Sequence, residues 1–153
     1  MLALAPLPFQ VTWVDSRREI FPPALPATVQ AVYHAEPARL VASAPAGSFI
    51  VVMTHSHPLD REIAAAALRR DTLPFVGVIG SKSKRARFRS RLHQLGLGEQ
   101  RLDRLICPVG IGAIQSRLPA AIAVSVAAQL LAVSGDTPHM VSDPALESME
   151  LIS

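Results

Sequence analysis

The sequence predicts an α/β fold in which a parallel sheet is flanked by helices. Two apolar runs rich in β-branched residues, Phe49–Met53 and Phe75–Ile79, are typical of strands covered on both faces. A longer stretch with helical periodicity follows each run, and such alternation favours parallel pairing through right-handed crossovers. The chain has 153 residues, half of them hydrophobic, which is enough for one core.

The first part of the chain is predicted to contribute two strands and a short helix. Phe9–Val14 is rich in strand-forming residues and ends at Asp15, and Thr28–Tyr33 is a weaker run of the same kind. Ala38–Ser43 can form one or two helical turns before a proline and a glycine close it.

Three further helices and a short strand are predicted after the first apolar run. Pro58–Arg70 is Ala-rich and begins with a proline that suits the first helical position. A second helix follows Gly80 and stops at Gly96, and Leu105–Cys107 is a candidate strand. The last helix, Pro119–Val133, is apolar nearly all round, so we expect it to be buried.

We expect residues 1–135 to form one Rossmann-like domain and residues 136–153 to form an irregular or weakly helical tail. With one Trp, one Tyr and five Phe, the chain has few rings on which nucleic-acid bases could stack, so no nucleic-acid partner is expected. A single cysteine, Cys107, excludes an internal disulfide and fits a reducing cytoplasm. The apolar stretch Leu118–Val133 is too short for a membrane span, which needs about 20 residues.

Ligands of an open parallel sheet bind outside the carboxyl ends of its strands. Four groups of polar residues are predicted at such ends: Asp15, residues 54–60, residues 80–85 and residues 107–112. Because these ends lie along one edge of the sheet, we expect the four groups to form a composite site.

The strongest ligand signal is the start of the helix after Gly80. The glycine permits a tight turn, Ser81 or Ser83 can cap the helix, and the free amides at its positive end attract an anion such as phosphate. Lys84 and Arg85 precede Phe88 by one turn, so we expect them to project toward the sheet edge and contact the anion. The other arginines of this run are interpreted as a solvated face: Arg87, Arg89 and Arg91.

The remaining polar residues each allow two interpretations. His55, His57 and Asp60 could hold a metal, but their spacing is not that of a rigid metal site, and no metal is predicted. Asp60 either stabilises the start of a helix or serves in ligand binding or proton transfer. Asp15 could bind a ribose hydroxyl, although no glycine-rich turn precedes it. Cys107 is either a small buried hydrophobe or a residue that handles sulfur.

Three segments together resemble a known family. They are THSHPLD from Thr54, PFVGVIGSKSKRARFRSRLHQLGL from Pro74 and CPVGIGAIQSRLPAAIAVSVAAQLLA from Cys107. Their combination, order and spacing resemble the C-terminal domain of XdhC/CoxI-type proteins, the xanthine dehydrogenase accessory factors. The similarity runs from about Gln10 to Val133.

The resemblance implies a chaperone rather than an enzyme, with no catalytic residue of its own. It implies that molybdenum cofactor is bound as cargo, held while its terminal sulfur ligand is installed, and delivered to xanthine dehydrogenase or a related molybdenum hydroxylase. It further implies a cysteine desulfurase as partner. The cytoplasmic location is expected from the single cysteine, and a homodimer is left open. By position, the cofactor-binding residues would be Thr54, His55, Asp60, Gly80, Ser81, Lys84, Arg85, Cys107, Pro108 and Gly110.

The sequence departs from the family pattern at two places. The loop after Gly110 has Ala113 and Ser116 where glycines are expected, and Arg117 where lysine is usual. The family's first strand, with its glycine-rich turn, and the domain before it are not found. That strand is central in the doubly wound order, so we expect the strands ending at Asp15 and Thr54 to have unpaired edges. We therefore expect a chain that is marginally stable, aggregates or is completed by another chain.

Two other functions compete with the chaperone. An NAD(P)-dependent oxidoreductase would use the Rossmann-like architecture and Asp15, and the missing glycine-rich turn argues against it. A non-catalytic interaction domain would dock a partner on the Pro119–Val133 helix, which requires that helix to be exposed.

Overall fold

The computed structural model describes residues 2–114, 116 and 118–135. Arg117 and the predicted tail at 136–153 lie outside the described residues. The strands are β1 (Val11–Asp15), β2 (Val29–Tyr33), β3 (Phe49–Val52), β4 (Phe75–Val78) and β5 (Leu105–Ile106). The helices are α1 (Pro37–Ala42), α2 (His57–Leu68), α3 (Lys82–Gln94), α4 (Glu99–Leu102) and α5 (Pro119–Gly135), with a 3₁₀ turn at Arg18–Ile20.

The strands form two parallel sheets. In the first sheet β1 pairs with β2, and Val11 lies opposite Val29. In the second sheet β4 lies between β3 and β5, with Phe49 opposite Phe75 and Gly77 opposite Ile106. The predicted α/β class with parallel strands and flanking helices is confirmed.

Most predicted elements lie within a few residues of the observed ones, because buried strand runs and helix-breaking residues mark their ends. Gly96 follows α3 with a φ of +81°, a conformation that suits glycine at a helix end. The sequence patterns do not predict α4, which has only four residues and no apolar periodicity to reveal it. Within the described residues, no helix combines the length and the hydropathy that a membrane crossing needs.

Each face of the second sheet packs on its own apolar cluster. One face, with α2 and α3, carries the first cluster, whose main members are Val52, Leu68, Leu73, Val76, Val78 and Leu92. The opposite face, with α5, carries the second cluster, whose buried members are Phe75, Val109, Val126 and Leu130. Alternate residues of β4 therefore serve different clusters, as expected of a strand in the middle of a sheet.

The expectation that α5 is buried all round is wrong. Its buried residues lie along one side: Ser125, Val126, Ala127 and Leu130. Val124 is 57% exposed and Leu131 is 37% exposed. Apolar residues all round a helix lead to full burial only where partners lie on every side. Among the described residues, partners of α5 lie on the side of the second cluster.

The interpretation of Arg89 as part of a solvated face is also wrong. Its side chain is 24% exposed and donates to the carbonyl oxygen of Leu102 at 2.8 Å. The same guanidinium donates to Asp103 Oδ1 at 3.0 Å and to Glu99 Oε2 at 2.6 Å. Arg89 therefore links α3 to the short helix α4. No sequence pattern connects Arg89 with its acidic partners Glu99 and Asp103.

We predict that Gly77→Ala destabilises the domain by about 1–3 kcal/mol, because there is no room for the added methyl group. A Cβ at Gly77 would lie 2.7 Å from Phe75 Cε1 and 2.7 Å from Val109 Cγ2. The measurement is urea unfolding followed by circular dichroism. Gly112→Ala is the control, because nothing lies within 4 Å of its Cβ position, and it should change stability by less than about 0.5 kcal/mol. Equal stability of the two variants would contradict close packing around Gly77.

Candidate functional site

The turn between β3 and α2 is held together by Asp60. The side chain of Asp60 is buried, and its Oδ1 accepts the backbone N–H of Thr54 at 3.0 Å and the Thr54 hydroxyl at 2.8 Å. Thr54 Oγ1 in turn accepts the N–H of Ser56 at 3.1 Å. The other carboxylate oxygen lies 3.5 Å from Nδ1 of the exposed His57. Asp60 therefore shapes the loop from inside, in addition to its favourable place in the first turn of α2.

The turn between β4 and α3 exposes a positively polarised helix start. Ser81 is the N-cap, and its Oγ accepts the N–H of Lys84 at 3.4 Å. The preceding amides, those of Lys82 and Ser83, belong to the first turn of α3, where backbone donors have no partner within the helix. The first turn contains no acidic residue, and Lys84 and Arg85 are exposed. Free amides and exposed cations therefore lie together, which is the chemistry that binds a phosphate group.

Cys107 lies beside this helix start, below the surface. It is 4% exposed, and its Sγ lies 3.1 Å from the position that a Cβ on Gly80 would occupy. Burial raises the pKa of the Cys107 thiol, and the nearby charges of Arg85 and Lys84 oppose that rise only in part. The thiol is therefore protonated at neutral pH, which favours the interpretation of Cys107 as a buried small residue over that of a nucleophile.

The turn after Cys107 is anchored by two polar side chains of α5. The peptide bond before Pro108 is cis, and Gly110 has a φ of +112°. Gln129 Oε1 accepts the N–H of Gly110 at 2.6 Å, and Ser125 Oγ accepts the N–H of Ile111 at 2.7 Å. A Cβ on Gly110 would lie 2.6 Å from Ser125 Oγ, so only glycine fits at this position.

Ser125 and Gln129 are not among the predicted site residues. A signal for them exists in the sequence, because they are polar, four positions apart and therefore on one face of an otherwise apolar helix. On a helix that packs against a sheet, such a pair of polar side chains favours hydrogen bonds to a neighbouring loop.

Asp15, at the end of β1, is already engaged by Arg17. Its Oδ1 accepts the Nε–H of Arg17 at 3.0 Å and the backbone N–H of Arg17 at 3.0 Å, and its Oδ2 accepts from Nη2 at 3.1 Å. The hydrogen bond from the Arg17 guanidinium is the main cause of the lowered pKa of Asp15, and the charge of His55 contributes to the lowering. A ribose hydroxyl at Asp15 would have to compete with this bidentate pair.

The structure brings together some of the predicted site residues. The helix-start residues Gly80, Lys84 and Arg85 lie around Cys107. Thr54 and Asp60 form a second group. The turn after β3 and the turn after β4 follow neighbouring parallel strands and so lie along the same edge. In the part of the chain that the structure describes, no hydrogen bond or ion pair joins the two groups.

Two surface depressions lie away from this edge. One lies between α3 and α4 and is lined in part by Arg89, His93 and Glu99, and the other lies between α1 and α2. Neither is lined by a predicted site residue, so the composite site at the carboxyl edge stays a prediction. Within the described residues, no three His, Cys, Asp or Glu side chains converge as metal ligands would.

Parallel strands joined by helices, with polar turns along the carboxyl edge, define the Rossmann-like class of α/β domains. Comparison with known families shows which family of this class the chain belongs to. The family model described as the XdhC Rossmann domain matches residues 1–130, and the chain belongs to that family. It is also 30% identical over 135 residues to the uncharacterized protein YqeB of Escherichia coli (strain K12). The match covers 86% of this chain and 24% of YqeB, so the chain spans about a quarter of that relative.

We predict that Cys107 reacts slowly with iodoacetamide at neutral pH, because burial keeps it in the thiol form. The reaction rate should increase with pH and show an inflection above about pH 8.5, which is the ordinary pKa of a cysteine thiol. Replacing Lys84 and Arg85 together by alanine should move the inflection higher still, since both charges lower the pKa of the thiol. An inflection below about 7.5 would show a reactive thiolate and contradict this burial argument.

We predict that Arg17→Ala returns the pKa of Asp15 toward about 3.9. The pKa of Asp15 is lowered in the folded chain, so its pair with Arg17 stabilises the fold above the ordinary carboxyl pKa. That contribution is lost as pH falls through the lowered pKa. The free energy of unfolding, measured in urea, should therefore differ most between wild type and Arg17→Ala at about pH 7, and the difference should shrink as the pH falls below the ordinary carboxyl pKa. A difference that does not shrink in acid would contradict the pairing.

Proposed function

We propose that this domain binds molybdenum cofactor through the phosphate of its pterin ligand. In this proposal the domain is the cofactor-binding part of an accessory protein, and that protein prepares the cofactor for xanthine dehydrogenase or a related molybdenum hydroxylase. One observation carries the proposal: the capped start of α3, with Lys84 and Arg85, at the carboxyl edge of the sheet of an XdhC-family domain.

The residues at this edge suit a phosphate-bearing cargo. The free amides of the first turn of α3 donate to anionic oxygens, and the helix dipole adds to their attraction. Lys84 and Arg85 supply charge from exposed, adjustable side chains. Gly80 keeps the approach to the helix start free of side-chain volume, and any Cβ there would press on Cys107 Sγ.

The role we propose for these residues is binding and orientation rather than catalysis. The molybdenum centre belongs to the cargo, and a buried protonated thiol such as Cys107 is poorly suited to accept sulfur itself. In this proposal a cysteine desulfurase supplies the sulfur and the apo-hydroxylase receives the cofactor, both in the cytoplasm. The chain spans about a quarter of its relative YqeB, so these partners are proposed for a longer accessory protein that contains this domain.

We predict that replacing Lys84 and Arg85 together by alanine weakens binding of molybdenum cofactor at least about tenfold, because each charge-assisted hydrogen bond contributes about 1.5–3 kcal/mol. The measurement is quenching of pterin fluorescence on titration with the purified chain under anaerobic conditions. A parallel titration with the dephosphorylated pterin should show similarly weak binding to both proteins.

The matched control replaces Arg87 and Arg91 by alanine, which removes the same charge from the same helix further from its start. This control should bind within about twofold of wild type, since exposed charges away from the ligand act only weakly through salt-screened solvent. The mechanism is wrong if wild type does not bind the cofactor, or if both double variants lose the same affinity.

A further inference from the structure

Two buried polar side chains hold turns at the carboxyl edge of the second sheet. Among the residues that the structure describes, Asp60 and Ser125 are the buried polar ones, at 2% and 5% exposure. Burying a polar group costs free energy unless a hydrogen bond replaces the water that it loses. Asp60 bonds to the turn after β3, and Ser125 bonds to the turn after β5. Both side chains therefore serve turns at the edge where the candidate ligand groups lie.

Ser125 and Gln129 bind the turn after β5 from the side of α5. The Ser125 hydroxyl accepts the N–H of Ile111 at 2.7 Å and donates to the carbonyl oxygen of the same residue at 3.3 Å. Gln129 Oε1 accepts the N–H of Gly110 at 2.6 Å. Two consecutive residues of the turn are thus bonded to side chains one helical turn apart, which sets the position of the turn relative to α5.

The same turn is joined to β4 on its other side. The N–H of Val109 donates to the carbonyl oxygen of Val78 at 3.0 Å, and Val109 is buried in the second cluster. Val78 ends β4, and Gly80 follows it by two positions. Cys107 Sγ lies 3.1 Å from the position that a Cβ on Gly80 would occupy, so the thiol packs directly against the backbone of Gly80. A displacement of the turn would therefore reach the residue that precedes the cap of α3.

We propose that Ser125 and Gln129 are positioning residues of the anion site at the start of α3. They hold the turn after β5 against β4, the turn holds Cys107 against Gly80, and Gly80 determines where the first amides of α3 lie. The inference rests on the proposed function, because it requires the start of α3 to bind an anion. Ser125 and Gln129 act through the turn, to which both are bonded, and have no contact with the ligand.

The start of α3 needs support from outside the helix. The residues of α3 that pack on the first cluster are Phe88 and Leu92, and both lie beyond its first turn. Ser83 and Lys84 are exposed. Backbone amides bind an anion more tightly when they are held in the binding geometry before the anion arrives, because less ordering is then required on binding. The packing of the Cys107 thiol on the Gly80 backbone supplies a fixed point just before these amides.

The test is titration of the ¹⁵N-labelled chain with inorganic phosphate at constant ionic strength, followed by the amide shifts of Lys82 and Ser83. Gln129→Met keeps the length of the side chain but removes the acceptor, and we expect it to weaken phosphate binding about five- to tenfold. Gln129→Glu restores an acceptor oxygen, so it should bind phosphate more tightly than Gln129→Met, although its added negative charge opposes the anion. An effect of charge alone would give the opposite order.

Two serine variants of α5 form a matched pair. Ser125→Ala removes the bonds to Ile111, so it should weaken phosphate binding by a similar factor and shift the amide resonance of Gly80 before phosphate is added. Ser134→Ala is the control and should bind like wild type, because the Ser134 hydroxyl donates to the carbonyl oxygen of Leu131 within α5 itself. Urea unfolding shows which variants are folded during the titration, and a loss of stability alone would leave the affinity of the folded molecules unchanged.

The outcomes separate this inference from the proposed function. Absence of phosphate binding by wild type would overturn both. Binding by wild type, with the same affinity in Gln129→Met and Ser125→Ala, would overturn the positioning role alone. Weaker binding by Gln129→Glu than by Gln129→Met would also overturn it. If Ser125→Ala does not fold, the order of the two Gln129 variants decides.

Discussion

The central position of β4 determines where the candidate ligand groups lie. Because β4 pairs in parallel with β3 and with β5, the turns that follow these strands emerge at one edge of the second sheet. That arrangement sets the capped start of α3 beside Cys107 and on the same edge as the turn that Asp60 organises. The location of the site is thus a consequence of strand order, and the side chains add charge and shape to it.

Much of this fold was predictable, since its signals are local. Apolar strand runs, Pro58 at the start of α2 and Gly96 after α3 mark elements that the structure contains. Contacts between distant segments were not predictable. The bonds of Arg89 to the α4 region and those of Ser125 and Gln129 to the turn after Pro108 join residues far apart in sequence. The exposure of one side of α5 likewise depends on which partners surround it, and periodicity carries no information about that.

The candidate site combines exposed cationic side chains with a buried thiol. Lys84 and Arg85 face solvent, whereas the thiol of Cys107 is covered and its pKa is raised. An arrangement of this kind suits recognition of an anion better than covalent chemistry. It therefore supports the proposed role of binding a cofactor, in which the cargo supplies the reactivity and the domain holds it. Asp15, bound by Arg17, makes a dinucleotide ribose a less suitable ligand.

Titration of the ¹⁵N-labelled chain with a phosphate monoester, followed by amide chemical shifts, tests most directly whether α3 begins an anion site. We expect saturable shifts that are largest at Lys82, Ser83 and Lys84, with smaller changes at Gly80 and Cys107. Shifts that do not saturate, or that spread evenly over exposed arginines elsewhere such as Arg39 and Arg61, would show only nonspecific attraction to a basic protein. That result would contradict an anion site at the start of α3.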